Sequence, residues 1–360
     1  MSKDVPLRND HTVYILGAGY SVERGYPLIS GFLNRMRDAA IWYEQNNQLT
    51  QMRAIHEVLK FRLDAASAAY RVPIDLENIE ELFSLASAAN HKIEKDVRIS
   101  IAATLEYCRG AEADPLAVVM NAEPKHASVL KARSVKQTLD NQVSTIPLYD
   151  ALALRFLKAL SPKNSTVISF NYDDLVEKSV INLGGTFHYG IATKHENQIG
   201  SSYHGNGLAV LKMHGSLNWA YADKREANFT VFEDAAAVLK AGLVPQIVPP
   251  TWNKTIAKKL AEVWSSAITR LETATRIYVV GFSMPQTDMH FKYLLAAGLQ
   301  KNFSLREIVF VDPSDTIPTR AGTILASREI QGGRVKFLAQ PICDMVAKRV
   351  KHRFGAFRLS

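Results

Sequence analysis

Apolar residues occur along the chain in two patterns, as short continuous runs and as runs at helical spacing. The continuous runs are typical of strands that are buried on both faces of a parallel sheet. Such runs, together with short segments rich in β-branched and aromatic residues, predict strands at 13–16, 165–170, 208–213, 276–280, 307–311 and 335–338. The helical spacing predicts helices at 28–45, 50–70, 76–90, 175–181, 255–271 and 288–299. Because strands alternate with helices, we predict an α/β fold with a doubly wound, mostly parallel, Rossmann-like sheet.

The interval 28–160 interrupts this alternation. Helical spacing runs through most of it, with a polar break at 110–125 and almost no convincing strand. We therefore predict a large helical insertion or lid over 28–160, placed after the first strand and helix. The α/β domain would then consist of 1–27 and 161–360.

The composition is that of a globular protein, with 47% hydrophobic and 22% charged residues in a chain of 360. No apolar run approaches the roughly 18 residues that cross a bilayer, and the N-terminus lacks the order of a signal peptide. We therefore expect a cytoplasmic protein with no membrane segment. The two cysteines, Cys108 and Cys343, cannot form a four-thiolate zinc site, and no HExxH motif occurs, so we expect no metal.

The net charge is +8, and basic residues are densest at 347–358. Clustered lysines and arginines can bind the phosphates of nucleic acids. A terminal basic helix is more often a solvated face or a contact to an acidic partner. We therefore do not expect direct nucleic-acid binding, which stays an alternative interpretation of this segment.

A glycine turn follows the first predicted strand, in the sequence TVYILGAGYSVERGYP. Gly17 and Gly19 have no Cβ, so they permit a tight turn and allow a ligand's phosphates to approach the backbone at a helix N-terminus. Val22 stands where the third glycine of the dinucleotide fingerprint belongs, which disfavours dehydrogenase-type binding. The turn predicts a phosphate site made of Gly17, Ala18, Gly19 and Ser21.

Polar residues and glycines also follow the later predicted strands, at the carboxyl ends where open α/β sheets place their chemistry. They are Asn171, Asp173, His214, Gly281, Ser283 and Asp312. We expect them to face one crevice together with the glycine turn. Three of them also have a simpler interpretation. Asn171 and Asp173 could serve merely as caps of the next helix, and His214 could be an ordinary turn histidine.

The order of these motifs resembles that of sirtuin-type NAD-consuming domains. The matching stretches are GAGYS with the later Gly25 and Pro27, FNYDD, KMHGS, VVGFS and FVDPSD. The resemblance implies that NAD is bound as a substrate. It implies that Asn171 orients the ribose and the attacking water, that Asp173 lies near the nicotinamide, and that His214 removes a proton.

The same resemblance implies roles for the last two motifs. Gly281 and Ser283 would lie by a phosphate or ribose, and Asp312 would accept from the hydroxyls of the adenosine ribose. The α/β domain would be the NAD-binding and catalytic domain, with a sirtuin-type fold.

The chain departs from the protein-deacetylating sirtuins at two places. It lacks their four zinc-binding cysteines, and Leu28 and Ile29 stand where the deacetylases have Asp-Phe-Arg. The resemblance is closest to the sirtuin-like NADase effectors of bacterial anti-phage systems. It implies an NAD glycohydrolase that yields nicotinamide and ADP-ribose and acts in abortive infection.

Such effectors often form homo-oligomers or work with a second subunit, such as a HerA-type ATPase or an Argonaute-like protein. No sensor domain is recognisable after 335, so we expect a separate activating or inhibiting partner, and the resemblance implies a homo-oligomer. Two other functions stay open, a protein deacylase or ADP-ribosyltransferase and a non-catalytic subunit that binds NAD or ADP-ribose.

Overall fold

Seven parallel strands form the central sheet of the protein. The computed structural model describes residues 10–22, 24–89, 91–110, 134–139, 142–147, 164–182, 184–195, 205–222, 229–248, 258–284 and 289–340. The strands are β1 (Thr12–Leu16), β2 (Ser134–Leu139), β3 (Gln142–Pro147), β4 (Ser165–Ser169), β5 (Phe187–His188), β6 (Lys194–His195), β7 (Leu208–Lys212), β8 (Gly215–Ser216), β9 (Trp219–Ala220), β10 (Thr230–Val231), β11 (Gln246–Ile247), β12 (Arg276–Val280), β13 (Glu307–Val311) and β14 (Val335–Leu338).

The helices flank this sheet or form a separate layer. They are α1 (Ala18–Val22), α2 (Ile29–Gln45), α3 (Leu49–Ala69), α4 (Ile79–Ala89), α5 (His91–Gly110), α6 (Leu175–Asn182), α7 (Ala235–Lys240), α8 (Lys258–Glu272), α9 (Met289–Leu299), α10 (Ile317–Ile324) and α11 (Ser327–Gln331). In the part of the chain that the structure describes, no helix is long and apolar enough to cross a membrane.

The strand order of the central sheet is β14-β13-β12-β1-β4-β7-β5. The apolar run of β1 is buried, and β1 pairs in parallel with β4 on one side and with β12 on the other. The strands β4, β5 and β7, the next strands of this sheet in the sequence, lie on one side of β1, and the later strands β12, β13 and β14 lie on the other side. This reversal confirms the predicted doubly wound parallel sheet, and it places the topological switch point between β1 and β12.

The helices α2 to α5 enclose a second apolar core. Its large buried side chains include Met36, Ile55 and Phe83, and it also takes in Leu217 and Ile247 from the segment that follows β7. The helical layer therefore packs on the chain just beyond one of the predicted site strands. The domain boundaries at 28 and 160 stay a prediction.

The interval 28–160 contains a pair of strands that the sequence analysis did not predict. The strands β2 and β3 pair as an antiparallel hairpin, with Leu139 opposite Gln142. The sequence carries the signal, because β-branched residues recur in both runs and Asp140-Asn141, residue types common in tight turns, separate them. The basic segment at 347–358, Cys343 and most of the polar break at 110–125 lie outside the described residues.

Candidate functional site

The glycine turn after β1 packs directly on the turn after β12. The N–H of Gly17 donates to the carbonyl of Val280 at 3.0 Å, and the N–H of Gly19 donates to the carbonyl of Gly281 at 2.7 Å. A Cβ on Gly17 would lie 2.6 Å from the Gly281 carbonyl oxygen, and one on Gly281 would lie 2.3 Å from the Tyr20 nitrogen. Glycine is therefore required at both turns by their contact with each other.

This contact bears on the predicted phosphate site. The N–H groups of Gly17 and Gly19 already donate within the protein, and the space beside their Cα atoms holds the backbone of the second turn. The structure thus supplies a packing reason for the glycines of the GAGYS motif. Their role in holding a phosphate, together with that of Ala18, stays a prediction.

Asn171 follows β4 and crosses to the glycine turn. Its amide nitrogen donates to the carbonyl of Gly17 at 2.9 Å and to the hydroxyl of Ser21 at 3.0 Å. The carbonyl can only accept, so this contact fixes which end of the amide faces the turn. No described residue donates to the amide oxygen of Asn171, and the side chain is half-buried. The amide oxygen of Asn171 is therefore available to accept a hydrogen bond from a ligand.

Ser21 and Asp173 complete this cluster. The Ser21 hydroxyl donates to Asp173 Oδ2 at 2.7 Å, and the N–H of Leu175 donates to Asp173 Oδ1 at 3.1 Å. Asp173 therefore does hold the start of α6, as the simpler interpretation of its side chain predicted. Its other oxygen ties α6 to the glycine turn. Ser21, assigned from sequence to a phosphate, is buried with both hydrogen-bonding roles taken.

His214 lies in the turn between β7 and β8 and is only 5% exposed. The ring of Phe170 meets it edge-on with centroids 5.3 Å apart, and the ring of Tyr172 lies 6.2 Å away. Its carbonyl accepts from the N–H of Val248 at 2.9 Å, and the Tyr172 hydroxyl donates to the Val248 carbonyl at 3.1 Å. The residues on either side of Asn171 thus pack against His214.

The turn after β12 is connected to the end of β13. The N–H of Gly281 donates to the carbonyl of Val311 at 2.9 Å, and the Arg320 guanidinium donates to the carbonyl of Ser283 at 2.6 Å. Asp312 Oδ1 accepts from the N–H of Ser314 at 2.9 Å. Burial raises the pKa of Asp312, although the Ser314 N–H and the charge of Arg320 act to lower it. The roles of these residues toward NAD stay predictions.

Buried charges lie beneath Asn171 and Asp173. Lys212, the last residue of β7, donates from its ammonium to the carbonyl of Asp173 and lies 3.6 Å from Glu177 Oε1. Burial raises the pKa of Glu177, and the nearby Lys212 ammonium acts to lower it. Burial also raises the pKa of Asp174 to about 8, against the charge of Arg109 in the helical layer.

Sequence reasoning missed these buried ionisable residues. A signal is present, because a lysine closes the otherwise apolar strand LAVLK, and Glu177 comes one helical turn after the adjacent Asp173 and Asp174. Ionisable side chains in buried elements are seldom tolerated unless they pair.

The site therefore joins four neighbouring strand ends, those of β4, β1, β12 and β7. It presents one amide acceptor, at Asn171, beside a histidine that aromatic rings hold in place. Among the described residues no group of three or more His, Cys, Asp or Glu side chains could hold a metal ion. The absence of zinc from the whole chain stays a prediction.

Comparison with known proteins adds only distant structural similarities. No protein-family model matches the sequence, and no curated protein matches it. A Sir2 homologue in complex with NAD is 18% identical with a TM-score of 0.44, covering 96% of this chain and 90% of its own. A Sir2 protein with an inhibitor, 2'-O-acetyl-ADP-ribose and a deacetylated peptide is 13% identical with a TM-score of 0.39, covering 95% and 93%. Similarity at these levels carries no information on activity.

Proposed function

We propose that this chain is an NAD glycohydrolase that cleaves NAD to nicotinamide and ADP-ribose. The observation that carries the proposal is the orientation of Asn171, whose amide nitrogen is fixed on Gly17 and Ser21 while its oxygen has no donor among the described residues. An acceptor at a strand end of a doubly wound sheet is suited to orient the O–H of a water or of a ribose. We choose NAD as the substrate because the motifs GAGYS, FNYDD, KMHGS and VVGFS occur in an order that resembles that of NAD-consuming domains.

The reaction breaks the bond between C1' of the ribose and the nicotinamide nitrogen. The bonding electrons leave with the nicotinamide, and positive charge develops on the ribose. Asn171 accepts from the attacking water and directs its oxygen toward C1'. The water oxygen forms the new bond, and His214 takes the proton that the water or a ribose hydroxyl loses. NAD and one water thus give nicotinamide, ADP-ribose and one proton.

The test follows NAD, nicotinamide and ADP-ribose by chromatography with the purified protein. We expect equal amounts of nicotinamide and free ADP-ribose, whereas transfer to a protein would leave ADP-ribose short of nicotinamide. Asn171→Ala and His214→Ala should each lower kcat/KM by about a hundredfold or more. The matched controls are Asn34→Ala and His56→Ala, which change exposed residues of α2 and α3 and should leave it within about threefold.

Undiminished cleavage in both site variants would show that the motifs were misassigned. NAD that stays intact with the purified protein, with the protein together with its partner, and in phage-infected bacteria that carry the chain with its neighbouring genes would exclude hydrolysis. Calorimetric binding of NAD under the same conditions would then favour a non-catalytic NAD-binding subunit.

We extend the proposal to a regulated anti-phage effector that works as a homo-oligomer with a partner protein. Its support is the resemblance of the motifs and the absence of four zinc-binding cysteines from the sequence. Bacteria that carry the chain with its neighbouring genes should lose NAD after phage infection, and cells with His214→Ala should keep it. Equal NAD levels in the two strains during infection would contradict the effector role.

A further inference from the structure

Lys212 is an ammonium in the interior of the α/β domain. It closes β7, and only 1% of the residue is exposed. A buried charge of this kind is tolerated when it is paired and its donors are used. Glu177 Oε1 lies 3.6 Å from the ammonium and balances its charge, but the ammonium also donates to the main-chain carbonyl of Asp173. Charge balance with Glu177 alone would not require that second contact.

The carbonyl of Asp173 belongs to the short loop that joins β4 to α6. This loop carries Asn171, and its backbone is held at several points. The N–H of Phe170 donates to the carbonyl of Leu16 at 2.9 Å, and the carbonyl of Tyr172 accepts from the N–H of Leu217 at 3.1 Å. Lys212 holds the next carbonyl, that of Asp173. The ammonium thus fixes the end of the loop nearest α6.

Lys212 also lies two residues before His214. The N–H of Met213, between them, donates to the carbonyl of Ser169 at 2.9 Å. The strand end that carries His214 is therefore joined to the end of β4 by this main-chain bond and to the loop that carries Asn171 by the Lys212 ammonium. Displacing the ammonium would change the position of Asn171 relative to His214. These are the two side chains to which the proposed function assigns catalysis.

We propose that Lys212 is a positioning residue. Its ammonium, whose charge is balanced by Glu177, binds the Asp173 carbonyl and thereby fixes the position of Asn171 relative to His214. The proposal rests on the proposed NAD cleavage for its consequence in catalysis. Its structural part, the hold on the loop, does not depend on which ligand the site takes.

The competing explanation is that Lys212 only neutralises Glu177. The single variant Lys212→Met cannot separate the two, because it leaves Glu177 as an unpaired buried charge and can prevent folding. The double variant Lys212→Met with Glu177→Gln removes both charges with little change of volume. If the lysine only balances charge, the double variant should behave as the wild type. If it positions the loop, the double variant should fold and remain impaired.

Two measurements on the full-length protein decide between these outcomes. In the double variant we expect kcat for NAD to fall by about tenfold to a hundredfold. The KM should change less than about threefold, because the ammonium contacts the loop and not the ligand. Hydrogen exchange of the 170–174 backbone should become faster by about tenfold or more, while exchange in β1 and β12 stays as in the wild type.

The matched control is Lys178→Met, which removes a lysine from the same group of charges. Lys178 lies 3.4 Å from Asp174 Oδ2 and 3.5 Å from Asp234 Oδ2, and it is partly exposed. We expect it to leave kcat within about threefold of the wild type. A double variant with wild-type kcat and wild-type exchange at 170–174 would overturn the proposal.

The failure of the proposed function would look different. If the wild type does not cleave NAD, the exchange at 170–174 alone decides whether Lys212 holds the loop. Faster exchange in the double variant would then support the positioning role at a site with another activity, and unchanged exchange would refute it.

Discussion

The hydroxyl of Ser21 donates a hydrogen bond of 2.7 Å to the buried carboxylate of Asp173. The two residues come from different strand ends and are far apart in sequence. The same hydroxyl accepts from the amide nitrogen of Asn171 at 3.0 Å. One side chain of the GAGYS motif therefore links Asn171 and Asp173 of the FNYDD motif, and the two motifs form a single hydrogen-bonded unit.

Removing this hydroxyl should weaken both the fold and the site. Ser21→Ala leaves a buried oxygen of Asp173 without its donor, which costs about 1–3 kcal/mol in the free energy of unfolding. It also frees one hydrogen of the Asn171 amide, so NAD cleavage should fall by about tenfold or more. Urea unfolding and the NAD assay measure the two effects.

The matched control for this change is Ser30→Ala, an exposed serine of α2. It should change the free energy of unfolding by less than about 0.5 kcal/mol. A Ser21→Ala protein as stable and active as this control would mean that the hydroxyl does not hold the two motifs together.

The contact of the two glycine turns makes a prediction about alanine. Gly281 has a φ of +58°, and a Cβ there would lie 2.3 Å from the Tyr20 nitrogen and 2.4 Å from the Gly19 carbonyl carbon. The backbone must move to admit it, so we expect Gly281→Ala to lower the free energy of unfolding by more than about 1 kcal/mol.

Gly31 is the matched position, because it lies within α2 and a Cβ added there would meet no neighbouring atom within 4 Å. There the same substitution should raise the free energy of unfolding by about 0.5–1 kcal/mol, since alanine favours the helix. Thermal and urea unfolding of the two variants provide the measurement. Equal effects of the same sign would contradict the packing of the turns.

Cys108 should be inert toward thiol reagents in the folded protein. It is buried in the helical layer, and burial raises the pKa of its thiol to about 11. Because the thiolate is the reactive form, its alkylation at pH 7.5 should be at least about a hundredfold slower than in the unfolded chain. Maleimide labelling followed by peptide mass spectrometry measures this rate for Cys108 separately. Fast labelling of the native protein would show that the α5 environment opens readily.

The sheet could be predicted from the sequence because its longer strands are short segments rich in apolar, β-branched or aromatic residues. Five of the six runs that predicted a strand, such as those at Val13 and Ile277, end in glycine or polar residues, which mark the boundary. The edge strand β5 has only two residues, too few to form a pattern. The hairpin of β2 and β3 was missed because its two strands contain many polar residues and no apolar run of the kind that marks the strands of the central sheet.

The candidate site could be predicted only in part. Strand-end position and motif order indicated Asn171, Asp173 and His214 as neighbours. Hydrogen-bond partners depend on three-dimensional approach, so the sequence could not show that Ser21 faces Asp173 rather than solvent. Lys212 was missed for the same reason, since a lysine at a strand end is usually a surface residue.

Asp174 provides a prediction about pH. Its pKa is raised to about 8, chiefly by burial and in part by the negative charges of Glu177, Asp173 and Glu106. Arg109 acts in the opposite direction, and Lys178 lies 3.4 Å away. The folded protein therefore binds this proton more tightly than the unfolded chain, in which an aspartate has a pKa of about 3.9. The stability that this group contributes is fully present below about pH 4 and is lost as pH rises through about 8.

The variant Asp174→Asn should remove this dependence, because its side chain is neutral at every pH and close in shape to the protonated acid. The free energy of unfolding of the variant minus that of the wild type should rise between pH 5.5 and 8, by at most about 1.4 kcal/mol per pH unit. Urea unfolding of both proteins at several pH values measures the difference. A difference that stays constant over this range would show that Asp174 is already ionised in the folded protein at pH 5.5. The Lys178 and Arg109 charges would then outweigh its burial.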